Sequence, residues 1–325
     1  MIVVTGGAGF IGSALIAELN KRGRDDILVV DELDHERKIR NLRALRFKQR
    51  LGIADFRHKL LAGALDHAGI TGIIHLGACS DTTELNWAYL QDNNVDYSQE
   101  IIKWSAAHGA RCVYASSAAT YGDGLLGFDD RHELFERLIP LNPYGKSKLL
   151  VDIWVRDNGL LASAAGVRYF NVFGPNEWHK GGMRSVVNKK FPEVRDEGRI
   201  VLFKSHHPDY ADGGQKRDFI YVKDAVDATL WLLDHPEANG VFNIGTGVAR
   251  TWNDVARPMF HALKKPVNIT YVDMPENLRN QYQYHTEADI SKLRSAGYAA
   301  AFTPLEDAIT DYVCNHLVPD RHLGE

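Results

Sequence analysis

The chain has 325 residues, 45% of them hydrophobic and 25% charged, ordinary values for a globular protein with one large α/β unit or two interleaved ones. A formal net charge of −4 excludes a global positive field, so neither nucleic acid nor a membrane surface is expected as a partner, and a phosphate-bearing ligand must be held by local groups. Cys79, Cys112 and Cys314 lie far apart without metal-ligand spacing and read as reduced thiols; no charged n-region or long apolar run precedes Ile2, so a cytoplasmic protein without a signal peptide or membrane span is expected.

Taken in chain order, Ile2–Val4 has the length and β-branching of a buried strand, and a helix from Ser13 to Arg22 follows it. Between them lies Thr5-Gly6-Gly7-Ala8-Gly9-Phe10-Ile11-Gly12, which satisfies GxGxxG through Gly7, Gly9 and Gly12 and GxxGxxG through Gly6, Gly9 and Gly12. In a strand-turn-helix setting, missing side chains let the backbone turn tightly and approach a pyrophosphate seated on the helix N-terminus. The second strand, Ile27–Val30, ends at Asp31, where an acid meets the adenosine ribose of a dinucleotide. Asp31 alone favours NAD, whereas Arg37 and Lys38 either neutralise a 2′-phosphate or form a solvated charge run; the choice between NADP and NAD stays open on these residues.

Gly72–Leu76, Arg111–Ala115 and Ala165–Tyr169 read as further buried strands, with a helix over Val95–His108. This alternation predicts a Rossmann-type doubly wound parallel sheet. Tyr144 and Lys148 form a YxxxK pair, which a helix places on one face. A free phenol has a pKa of about 10, and a neighbouring ammonium is expected to bring it toward the working range of an acid/base. Ser117, with Thr120 nearby, is the candidate hydroxyl partner at a strand end, a simple cap being the alternative.

After Phe170 the rhythm breaks: a helix is predicted near Met183–Arg195, then a strand-like DFIYV, a helix over Val222–Leu233 and FNIG at 242–245. The expected division is a dinucleotide-binding domain over 1–171, with 218–246 returning to it, and a smaller C-terminal α/β substrate-binding lobe from 172–217 and 247–325.

TGGAGFIG, ASSAATYG, YGKSK and RDFIYV together resemble the extended short-chain dehydrogenase/reductase family of nucleotide-sugar enzymes. HLGACSDTTE, DNN, RYFNVFGPNEWHKGGM and YQYHTEADI are similar, more narrowly, to the ADP-heptose 6-epimerases of that family, HKGGM being the most specific piece. The resemblance implies bound NADP, oxidation of the heptose C6 carbinol to a ketone, return of hydride to the other face, a homo-oligomer, and a role in lipopolysaccharide heptose supply. It implies Tyr144 and Lys180 as the two acid/base groups. Cofactor contacts are implied at Gly6, Gly9, Phe10, Ile11, Gly12, Asp31, Glu32, Lys38, Leu76, Gly77, Ala78, Cys79, Ser80, Asn93, Lys148, Val172 and Lys180. Substrate contacts are implied at Asn171, Gly182, Lys189, Phe203, Lys204, Ser205, His206, Arg217 and Tyr282. Glu32, Gly182, Lys189 and Gln281 depart from residues frequent in the family, and a carboxylate at Glu32 is expected to repel a 2′-phosphate.

Physical reasoning treats Lys180 separately. Inversion by hydride removal and return requires a proton to be handled on both faces of a ketone, and a desolvated lysine readily serves; a phosphate-binding lysine is the alternative. The fork of Arg217 suits a diphosphate. A 4,6-dehydratase is disfavoured because Ala118-Ala119 follow Ser117 where a carboxylate is needed to expel water. A 4-epimerase needs only the Tyr, Lys and Ser set. A non-catalytic nicotinamide-sensing scaffold would be expected to have lost Tyr144 or Lys148.

Overall fold

The computed structural model describes residues 1–325 except Asp34, Asn280 and Gln281, so the departure at Gln281 lies outside the described residues. In chain order the strands are β1 (Ile2–Thr5), β2 (Ile27–Val30), β3 (Gln49–Leu51), β4 (Gly72–His75), β5 (Arg111–Ser117), β6 (Ala164–Tyr169), β7 (Asn171–Phe173), β8 (Ile200–Phe203), β9 (Lys216–Tyr221), β10 (Gly240–Ile244), β11 (Ala249–Thr251) and β12 (Ile269–Val272). Seven of them form one parallel sheet in the order β10-β6-β5-β4-β1-β2-β3. This is the Rossmann-type doubly wound arrangement. Its order reverses between β1 and β4, where ligands of such sheets bind at the carboxyl ends of the strands.

The helices that matter to the site are α1 (Phe10–Lys21), α2 (Glu36–Leu42), α3 (Ile53–Leu61), α4 (Trp87–Leu90), α5 (Tyr97–Ala107), α6 (Pro143–Asp157), α7 (Val186–Pro192) and α8 (Val222–Asp234). Alternate residues of the central strands enter two cores, which is why these strands read as unbroken apolar runs. Val4, Val29, Ile74 and Val113 pack with α1 and α8, while Val3, Leu28, Val30, Ile73 and Cys112 pack with α3, α5 and α6.

The chain leaves this sheet at Phe170. β7 pairs with β9, which pairs with β11, and β8 pairs with β12. Of the stretch 218–246, Gly240–Ile244 lies beside β6, whereas Lys216–Tyr221 lies in the three-stranded sheet. β3 was not anticipated: Gln49-Arg50-Leu51 is short and polar, as an edge strand permits.

α6, which carries the YxxxK pair, is locked to the sheet by a fully buried ion pair. Arg168 of β6 donates from Nε to Asp152 Oδ2 at 2.9 Å, and Ser116 and Tyr114 of β5 donate to the same carboxylate at 2.9 and 3.2 Å. The Arg168 guanidinium lies near the rings of Tyr121 and Phe135, at 4.8 and 4.5 Å from their centroids. Removing one member of such a pair strands a buried charge and costs about 3–5 kcal/mol, far more than removing both. Asp152→Ala is therefore expected to lower the urea midpoint sharply, and adding Arg168→Met to recover part of the loss.

Candidate active site

The glycine turn is built by close backbone approach. Gly6 has φ +65, and a Cβ on it would lie 2.9 Å from Gly77 N; a Cβ on Gly12 would lie 2.1 Å from Gly6 O. The N-cap of α1 is Gly9, which offers no side chain to cap the first amides, and Ser13 Oγ donates back to Gly9 O at 2.7 Å. Uncapped amides at the N-terminus of a twelve-residue helix, over a turn with no side chains, fit a dinucleotide pyrophosphate.

Asp31, buried at the end of β2, accepts from Ala8 N at 2.9 Å and lies 3.3 Å from Lys38 Nζ. Burial pushes its carboxyl up, and the Lys38 ammonium opposes that shift. The Glu32 carboxylate instead accepts from Ile53 N at 2.7 Å, at the start of α3. The repulsion anticipated from Glu32 is thereby moderated, because its charge is engaged by a helix N-terminus. Arg37 donates to Trp178 O at 2.9 Å and ties α2 to the 178–183 segment.

Leu76 to Ser80 form the loop after β4. Gly77 N donates to Thr5 Oγ1 at 3.0 Å, holding the loop on the glycine turn. The asparagine that organises it is Asn94, which accepts from Cys79 N at 2.8 Å and donates to Cys79 O and Ser147 Oγ at 3.0 and 2.9 Å. Its neighbour Asn93 donates to Tyr89 O. Both sit in Gln91–Asp96, a widened π-type turn leading into α5. The DNN triplet pointed to this place, but only burial distinguishes its two asparagines.

α6 starts with Asn142 capping Gly145 N at 2.8 Å and Pro143 at its first position. Tyr144 therefore emerges at the helix start, beside the end of β5, and the Ser117 hydroxyl there acts on its phenol. Part of the Tyr144 side chain still meets solvent, but the surrounding protein pushes its phenol up and Ser117 pulls it down. Lys148 lies one turn further along α6. Its Nζ donates to Ala115 O at 2.9 Å, and burial lowers its pKa to about 8 against the charge of Asp152. Sharing a helix face sets the side on which both stand, and a carbonyl near the end of β5 accepts from the ammonium. Thr120 donates to Ser117 O at 2.8 Å, a local turn bond.

Lys180 stands on the Trp178–Met183 turn, 5.3 Å from the centroid of the Phe10 ring. Burial lowers its pKa; the Glu177 charge raises it and Lys189 adds to the lowering. No ion pair to Lys180 is formed among the described residues. Glu177, fully buried, accepts from Ser185 N, from Ser185 Oγ at 2.6 Å and from Tyr312 OH at 3.0 Å. Met183 Sδ lies 3.8 Å from Thr82 Oγ1, so this turn meets the loop that follows β4. Lys189 Nζ donates to Gly182 O at 3.2 Å.

Val172 belongs to β7, and the Asn171 side chain beside it is exposed. Arg217 of β9 is buried without a carboxylate partner among the described residues, 5.2 Å from the Tyr282 ring and 5.9 Å from that of Trp252. Trp252 Nε1 donates to Tyr282 OH at 2.8 Å, fixing both rings. A desolvated guanidinium without a counter-charge suits an anionic group. Phe203 ends β8, and Lys204 pairs with Asp273 at 3.4 Å. Ser205 N donates to Asp212 Oδ1 and His206 N to Tyr284 OH, at 2.8 and 3.2 Å.

The sequence matches the NAD dependent epimerase/dehydratase family over residues 2–245. It is 50% identical, over 99% of this chain and all of the relative, to ADP-L-glycero-D-manno-heptose-6-epimerase of Nitratidesulfovibrio vulgaris strain Hildenborough. A protein of the same name from Alkalilimnicola ehrlichii is 44% identical over 96% of each chain. Among solved structures, the Helicobacter pylori ADP-L-glycero-D-manno-heptose-6-epimerase superposes with a TM-score of 0.80 at 27% identity, covering 97% of this chain and 95% of that one.

The glycine contacts set a direct test. Gly12→Ala would force its methyl into Gly6 O, so nicotinamide binding is expected to fall by at least about tenfold, a loss of roughly 1.4 kcal/mol or more. Titration of the purified protein by nicotinamide fluorescence checks this; unchanged affinity would place the dinucleotide elsewhere.

Proposed function

The chain belongs to the NAD dependent epimerase/dehydratase family and, within it, to the ADP-L-glycero-D-manno-heptose-6-epimerases, and we propose that it inverts C6 of an ADP-heptose with Tyr144 and Lys180 as its two proton carriers. The product serves lipopolysaccharide core heptose supply, and a homo-oligomer is part of the same reading. The reading is supported by two half-buried groups near the carboxyl ends of the parallel strands, one beside the end of β5 and one beside the glycine turn that follows β1. Tyr144 comes from the β5–α6 side with Ser117 beside it, and Lys180 packs on Phe10 of the glycine turn.

A bound nicotinamide supplies the hydride acceptor and donor. The turn Gly6–Gly12 and Asp31 would hold it, together with the loop Leu76–Ser80. Tyr144, its phenol raised by burial and lowered by Ser117, is suited to exchange a proton with the C6 oxygen, which Ser117 orients. Lys180, lowered by burial and left without an ion pair among the described residues, is suited to exchange a proton on the opposite face. Arg217, with Tyr282 and Trp252, is suited to the diphosphate of the substrate. A 4-epimerase would need Tyr144 and Ser117 but not the HKGGM turn.

Losing one positioned acid/base costs roughly 10²- to 10⁴-fold in rate. Tyr144→Phe and Lys180→Met are each expected to lose epimerisation of ADP-heptose by that factor while retaining nicotinamide, with no net NADPH formed by the parent enzyme. Near-normal turnover with weakened ADP-heptose affinity in Lys180→Met would make Lys180 a phosphate anchor.

NADP is the proposed cofactor, preferred over NAD by a modest margin because Asp31 shares the Lys38 ammonium. Lys38→Ala is expected to weaken NADP more than NAD in a binding titration. Equal weakening would show that Lys38 does not read the 2′-phosphate.

A further inference from the structure

Lys180 sits at the apex of a loop whose base is anchored with unusual thoroughness. Gly181 has φ +53, and the space where side chains on Gly181 and Gly182 would stand is open. The anchoring lies at the base. Asn176 is fully buried and adopts φ 76, a left-handed conformation that costs an L-residue energy and that glycine takes freely.

What Asn176 offers over glycine is its side chain. Nδ2 donates to Ser13 Oγ at 2.9 Å, and Oδ1 accepts from Leu323 N at 2.9 Å. Its carbonyl accepts from Asn41 Nδ2 at 3.1 Å, while the same Nδ2 donates to Ala8 O at 3.0 Å. Ser13 Oγ donates in turn to Gly9 O at 2.7 Å. Two short chains of hydrogen bonds thus run from Asn176 to two adjacent carbonyls in the middle of the glycine turn, those of Ala8 and Gly9. From the far side, His322 donates from Nδ1 to Asn41 Oδ1 at 2.7 Å and stacks on Trp178 with centroids 4.7 Å apart. The next residue, Glu177, closes the other end of the loop on Ser185, and Lys180 N donates to Glu177 O at 3.0 Å.

We propose that Asn176 is a positioning residue that sets Lys180 against the glycine turn, so that the bed of the cofactor and the second proton carrier move as one body. This rests on the reading of Lys180 as a proton carrier. Displacing a reacting group by about 1 Å costs up to about 10²-fold in rate. Asn176→Gly keeps the left-handed backbone and deletes both side-chain bonds.

The experiment is a double-mutant cycle of Asn176→Gly with Lys180→Met, read as kcat and KM for ADP-heptose, with melting temperature measured on every variant. The expected result is a kcat loss of about 10- to 100-fold for Asn176→Gly with KM nearly unchanged, and no further loss when it is added to Lys180→Met. An equal fold-loss in both backgrounds, or turnover within about twofold of the parent, overturns the inference and leaves Asn176 a fold-stabilising residue. Near-normal turnover in Lys180→Met alone overturns the proton-carrier reading instead. If Asn176→Gly does not fold, Ser13→Ala, which removes the same bridge from its other end, takes its place in the cycle with the same expected and overturning outcomes.

Discussion

The distance between Gly12 and the carbonyl of Gly6 governs the site. A methyl group has no room there, so α1 comes down directly on the turn that ends β1. That contact aims the uncapped amides of α1 at the crevice beside the β1–β4 reversal and leaves Ser13 one turn above Gly9. Three of the segments around it are bonded to this stretch of chain. Gly77 reaches it through Thr5, Asp31 through Ala8, and the Lys180 loop through Asn41, Asn176 and Ser13.

Charge is managed differently on the two sides of the site. Three buried carboxylates are saturated with donors: Asp152 by Arg168, Tyr114 and Ser116, Glu177 by Ser185 and Tyr312, and Asp218 by Thr246, Gly247 and Ala288. They hold elements together and have little capacity left for chemistry. Of the cations, Lys148 and Arg217 are buried and Lys180 is half-buried, none with a carboxylate in an ion pair among the described residues, and burial lowers all three. Groups of this kind pay for desolvation that an anionic ligand offsets; Lys180 lies on the HKGGM turn beside Phe10, and Arg217 beside the Tyr282 ring.

α6 shows how the fold and the site are coupled. Tyr144, Lys148 and Asp152 recur at intervals of four on one helix face. The deepest is an ion-paired anchor, the middle one reaches a strand carbonyl, and only the outermost reaches the crevice. The same periodicity thus yields three different jobs, graded by depth.

Sequence alone determined what depends on neighbours a few residues apart. The glycine turn, Asp31 at the end of β2, the YxxxK pair, Ser117 and the parallel α/β order all follow from local geometry and from the period of apolar residues. The family followed from the HKGGM stretch and the motifs around it. Tertiary structure alone decided which polar groups are spent on each other. The Lys148 ammonium went to Ala115, the Glu32 carboxylate to α3, and Asn94, not Asn93, to the loop after β4. Asn176, Glu177 and His322 gained their roles from partners brought together from α1, α2, α7 and the segment after Leu317. A hydrogen bond is satisfied by whichever partner the folded chain brings within about 3 Å, and for these residues no spacing in the sequence encodes that partner.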